Sequence, residues 1–151
     1  LSGTGSTGIH AKHGDLYNSA TGTINMGDNS TALYGEGDSK LENAGTINIG
    51  NGSTGIYAKD GVTNGITNSG TITSTGTSAI GIVFNGTGAG VSNTGTINLM
   101  GANSTGIYGT GNGYTLSNSG TITTGDSGIG IYSYGSALNY FLKFYEKYKK
   151  I

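Results

Sequence analysis

The chain has 151 residues, about one domain's worth, with 31 glycines, no proline, no cysteine and a net charge of −1. Disulfide staples and thiolate metal sites are therefore excluded, and no global field draws in nucleic acid. Arginine is absent altogether, which removes the usual reader of phosphates and base edges. So much Gly, Ser, Thr and Asn would suit a flexible linker, yet aliphatics recur at fixed intervals, and that regularity marks a folded repeat. No apolar run approaches the roughly 20 residues of a membrane helix, and no signal-peptide pattern opens the chain.

In chain order, the first unit opens with Ser-Thr-Gly-Ile-His at 6–10, passes a charged stretch, continues through Leu16-Tyr17-Asn18 and ends on Thr23-Ile24-Asn25. Close variants of the opening phrase recur at 30–34, 53–57, 79–83, 104–108 and 128–132, which predicts six copies of one unit. The second segment returns as Leu41 to Asn43, Ile66 to Asn68, Val91 to Asn93 and Leu116 to Asn118, so Asn18, Asn43, Asn68, Asn93 and Asn118 stand 25 residues apart. The third is Gly-Thr-Ile-Asn or Gly-Thr-Ile-Thr, whose period of two turns Ile24, Ile47, Ile72, Ile97 and Ile122 one way and the flanking Thr and Asn the other. Leu1 lies close to where such a strand would have ended, so the chain reads as a stretch of a longer repeat protein.

Each period thus carries three inward aliphatics: the column of Ile9, Leu33, Ile56, Ile82, Ile107 and Ile131; the column of Leu16, Leu41, Ile66, Val91, Leu116 and Leu138; and the Gly-Thr-Ile column. The segments are too short for helices and too regular for a sandwich. An all-β parallel β-helix buries all three columns, each coil pairing with those above and below at about 4.8 Å, so that six coils make a rod about 30 Å long. Glycine at the turns permits positive φ, and the asparagines are expected to form an amide ladder between coils.

The phrases Asn68 to Thr73 and Ser104 to Tyr108 resemble the passenger repeats of type V autotransporters of Gram-negative bacteria, above all large adhesin passengers with many near-identical coils. The resemblance covers about Ser6 to Tyr134. It implies a right-handed β-helix, export through an outer-membrane β-barrel, display on the bacterial surface and adhesion to a cell-surface protein or glycan. Its motifs are core and turn residues, so they identify architecture rather than ligand.

Three outward features carry candidate chemistry. Lys12, His13, Asp15, Glu36, Asp38, Lys40, Lys59 and Asp60 fall in the first loops of successive coils, where carboxylates could bind a cation or act as acid and base on a polysaccharide. Their alternating signs fit a self-neutralising solvated face instead, with no catalytic residue, metal site or cofactor. His10, Tyr34, Tyr57, Tyr108 and Tyr132, interrupted by Val83, form an aromatic stripe: a candidate binding surface, or neighbours that merely favour strand pairing. Thr23/Asn25, Thr46/Asn48, Thr71/Thr73, Thr96/Asn98 and Thr121/Thr123 make two ranks like those of ice-binding β-helices, with Asn in place of the second Thr in three of five.

The C-terminal stretch departs from the repeat. Residues 1–137 read as coils, whereas Leu138, Phe141, Leu142, Tyr145 and Tyr148 share one helical face. Residues 138–151 are therefore predicted to be an amphipathic helix that caps the open end and keeps the rod monomeric. That segment is also electrostatically distinct, with four lysines and one acid against three lysines and seven acids in residues 1–136.

Overall fold

The computed structural model describes residues 1–59 and 64–142. The first coil comprises β1 (Thr7–Lys12), β2 (Leu16–Asn18) and β3 (Thr23–Asn25), and the second β4 (Thr31–Glu36), β5 (Leu41–Asn43) and β6 (Thr46–Asn48). The third holds β7 (Thr54–Ala58), β8 (Ile66–Asn68) and β9 (Thr71–Ser74), the fourth β10 (Ile80–Asn85), β11 (Gly90–Asn93) and β12 (Thr96–Leu99). In the fifth, one long strand β13 (Thr105–Asn118) serves two sides before β14 (Thr121–Thr124), and β15 (Ile129–Leu142) follows.

Every pairing is parallel, and each strand pairs with its counterpart one coil away, in the order β1-β4-β7-β10-β13 on one side and β3-β6-β9-β12-β14 on another. This is a parallel β-helix. Its registers join Ile9, Leu33, Ile56, Ile82, Ile107 and Ile131 in one column and Ile24, Ile47, Ile72, Ile97 and Ile122 in another. Leu33, Ile56, Ile82, Ile47, Ile72 and Ile97 are fully buried, each contributing roughly 1.5–3 kcal/mol. Ile9, which has no coil beneath it among the described residues, is 41% exposed.

Two expectations are corrected. Among the described residues the rod has five complete coils rather than six, because there the last copy of the unit contributes only β15. Residues 138–142 are strand, not the start of a helix: β15 runs on along β13, placing Tyr140 rather than Leu138 opposite Leu116. The edge of β13 offers a row of backbone donors and acceptors, and Asn-Tyr-Phe-Leu is as good a strand sequence as a helical one, so tertiary pairing overrides the helical spacing. The rest of the expected cap, 143–151, lies outside the described residues.

The interior also holds side chains that the three-column reading left out. Met26, Ile49 and Leu99 are buried two positions beyond the Gly-Thr-Ile isoleucines, on the same face of the strand, and form a fourth column. Phe84 and Tyr114 are fully buried, with centroids 5.4 Å apart. Phe84 stands near the end of β10, and Tyr114 lies within the long β13. Flanking glycines let the chain fold these rings under itself, as at Gly109, where an added Cβ would stand 3.0 Å from the Tyr114 ring.

Candidate functional site

The asparagines close the corner between the second and third strands. Asn18 Nδ2 donates to Asn43 Oδ1 at 2.7 Å, Asn43 to Asn68 at 2.8 Å, Asn68 to Asn93 at 2.7 Å and Asn93 to Asn118 at 2.6 Å. The same amides reach carbonyls at the corner, as from Asn43 Nδ2 to Gly45 O at 3.3 Å and Thr71 O at 3.4 Å. Each backbone carbonyl works too: Asn43 O accepts from Ser69 N and Gly70 N, and Asn68 O from Thr94 N and Gly95 N. Asn43, Asn68, Asn93 and Asn118 are essentially sealed from solvent, so this ladder joins coils together and offers nothing to a ligand.

A second, shorter ladder went unread in the sequence. Ser30, Ser53 and Ser104 are buried at the corner that opens each first strand. Ser30 Oγ accepts from Ser6 N, Ser53 Oγ from Ser30 N and Ser104 Oγ from Ala79 N. The first letter of the Ser-Thr-Gly-Ile phrase, serine in four of its six copies, was the available signal. A hydroxyl satisfies a corner amide that no strand partner reaches.

Two residues earlier the same corner carries a carboxylate. Asp28 accepts from Asn51 N at 2.8 Å and Asn51 Nδ2 at 3.1 Å, and Asn51 Oδ1 accepts from Thr77 N at 2.9 Å. These bonds, the side-chain one foremost, hold the Asp28 carboxyl below its ordinary range. A depressed folded pKa contributes stability that is present above the unfolded value of about 3.9 and is lost as pH falls through the folded value. Denaturation midpoints measured below pH 4 are therefore expected to fall less steeply in Asp28→Asn than in the parent chain. Equal slopes would show that this carboxylate does not stabilise the corner.

The charged first loops pair locally. His10 Nε2 lies 3.2 Å from Glu36 Oε1, His13 Nδ1 2.9 Å from Asp38 Oδ1, and Lys40 Nζ 2.6 Å from Glu42 Oε1, while Asp15 Oδ1 accepts from Lys40 N at 3.0 Å. Coil one thus supplies both histidines and coil two the acids that face them. Among the described residues no three His, Cys, Asp or Glu side chains converge as metal ligands. Asp60 lies outside the described residues. Exposed pairs of this kind contribute about 0–1 kcal/mol each.

The aromatic stripe runs along the first strands in strict register, His10 beside Tyr34, Tyr34 beside Tyr57, and Tyr108 beside Tyr132. His10 meets Tyr34 edge-on, with centroids 4.8 Å apart and planes at 81°. The tyrosines stack instead: Tyr34 on Tyr57 at 5.4 Å and 5°, Tyr108 on Tyr132 at 5.1 Å and 6°. Stacking turns ring faces toward one another, so the row offers ring edges and phenolic hydroxyls to the outside. Val83, in register with Tyr57 and Tyr108 and only 7% exposed, divides the row into two groups. This is the outward surface best suited to a partner: amphipathic, rigidly spaced and already ordered, so that binding costs little side-chain entropy. No family model, curated protein or solved structure matches the chain.

Proposed function

We propose that this chain is a stretch of a non-enzymatic adhesin passenger displayed outside a Gram-negative bacterial cell, a rigid rod whose outward rows contact a protein or glycan on a host or neighbouring bacterium. The observation that carries this reading is the tyrosine row: two stacked aromatic pairs held in register on one outward side of the rod. The sequence resemblance to autotransporter passengers supplies the surface location and the export route.

The test is adhesion of the purified chain to glycan arrays and to cell layers. Replacing Tyr108 and Tyr132 with alanine is expected to lower retention while leaving the thermal midpoint within a few degrees, since exposed aromatic pairs on strands contribute about 0.2–1 kcal/mol. Unchanged retention would remove the row from the binding surface. The rival is a carbohydrate-active enzyme using Asp15, Glu36, Asp38 and Asp60. Glycan turnover that disappears in Glu36→Gln would establish that rival and sink the scaffold.

A further inference from the structure

The third strands form a face that neither the core nor the adhesive reading uses. β3, β6, β9, β12 and β14 pair without a register shift, so Thr23, Thr46, Thr71, Thr96 and Thr121 align in one outward rank. The second rank, two residues on, holds only Asn and Thr. Outward side chains therefore repeat about every 4.8 Å along the rod and about every 6.6 Å along each strand. The isoleucine column beneath the central three strands is fully buried, which keeps this lattice stiff.

Two observations separate this face from an ordinary solvated sheet. Its first rank is threonine in all five coils, although an outward position is not held to one residue by core packing. The equivalent outward position of the second strands reads Tyr17, Glu42, Thr67, Ser92 and Ser117. Secondly, among the described residues no threonine hydroxyl of either rank hydrogen-bonds to the protein, whereas Asn48 Nδ2 donates to Asn25 Oδ1 at 2.6 Å and so orders the start of the second rank. Neither rank carries a charge. The face is uncharged: a full rank of threonine methyls and hydroxyls beside a second rank in which asparagine amides take three of the five places.

An isolated ligand has no use for five equivalent rungs, but a periodic solid does, and a solid of uncharged, hydrogen-bonded molecules suits a face that is itself periodic, uncharged and hydroxyl-bearing. We propose that this face binds ice. Water ordered over the threonine ranks joins the crystal lattice, the methyls fix its position, and the attached rod hinders growth of the crystal plane.

The test is ice shaping and thermal hysteresis with the whole chain. Faceted crystals and a measurable gap between melting and freezing are expected, both lost in the Thr71→Lys, Thr96→Lys double variant, which places two hydrated charges at the centre of the face. Circular dichroism checks that the variant keeps its β signal; if it does not, Thr71→Tyr, a good strand former too large for a flat lattice, takes its place. Tyr108→Ala with Tyr132→Ala should leave ice activity intact, so loss of adhesion and loss of ice binding are read separately. Absence of ice shaping in the parent chain, or equal activity in the threonine variants, overturns the proposal. So does retention on crystalline cellulose without ice activity, which would assign the same lattice to a polysaccharide surface.

Discussion

Replacing Asn68 with alanine is expected to lower the unfolding free energy by about 1–3 kcal/mol, a loss of roughly 2–4 °C in midpoint for each kcal/mol in a domain of this size. Asn68 is fully buried in the middle coil, accepting from Asn43 Nδ2 at 2.8 Å and donating to Asn93 Oδ1 at 2.7 Å. Truncation therefore strands groups on both sides. Asn43 Nδ2 keeps its longer bonds to Gly45 O and Thr71 O, so the larger part of the cost is the orphaned Asn93 oxygen and the space left behind. Outward Thr73→Ala should cost under about 0.5 kcal/mol, and equal effects in chemical denaturation would contradict the ladder.

Asn68→Asp sharpens the same test, because it preserves shape and removes only the donor. The carboxylate would face the Asn93 oxygen, an acceptor, without water to screen it. Its folded pKa should be raised above the ordinary value of about 3.9, so the variant is close to parental at low pH and loses stability as pH rises through the folded pKa. A pH-independent deficit would instead point to packing alone.

How much of this was legible in the sequence depended on which physical constraint each residue answers to. The isoleucine columns and the asparagine spacing announced themselves because stacking one coil on the next forces the same residue into the same place, and repetition makes such constraints visible. The corner serines and the fourth column at Met26, Ile49 and Leu99 were equally repetitive but were masked by composition: serine is common everywhere in this chain, and the fourth column is broken by Ser74, which lies buried against Ile49 O instead. Phe84 and Tyr114 were not legible, since each occurs once, beyond the repeated phrases, and only the local course of β10 and β13 decides whether the ring turns inward. At residues 138–142 the helical spacing was real but local, and the waiting edge of β13 decided the outcome. Of the candidate surfaces, the stripe's register followed directly from the repeat. That its tyrosines stack face to face, leaving edges and hydroxyls to a partner, depends on rotamers that the repeat spacing does not specify.

The glycines give the largest expected effect, and one that runs against their usual explanation. Turn glycines were expected to be needed for positive φ, yet Gly45, Gly70, Gly95 and Gly120, one per corner after the ladder asparagine, show no positive φ. They are needed because the coils touch there. A Cβ on Gly95 would stand 2.1 Å from Gly70 O and 2.7 Å from Ser69 C, both backbone atoms, and neither can move without breaking the hydrogen bonds from Thr96 N to Gly70 O and from Gly95 N to Asn68 O. Gly95→Ala is therefore expected to cost about 3 kcal/mol or more, at the severe end for one methyl group, with the midpoint falling further than in Asn68→Ala. Gly88, at φ 81° with open space around its Cβ position, should cost only the strain of a left-handed alanine, about 1–2 kcal/mol. Gly14, with neither positive φ nor a neighbour within 4 Å, should accept alanine with a gain of about 0.4–1 kcal/mol from the stiffer unfolded chain. The order Gly95, Gly88, Gly14 in denaturation midpoints tests the close approach of coils directly, because a purely conformational role for glycine would make Gly88 the most sensitive of the three.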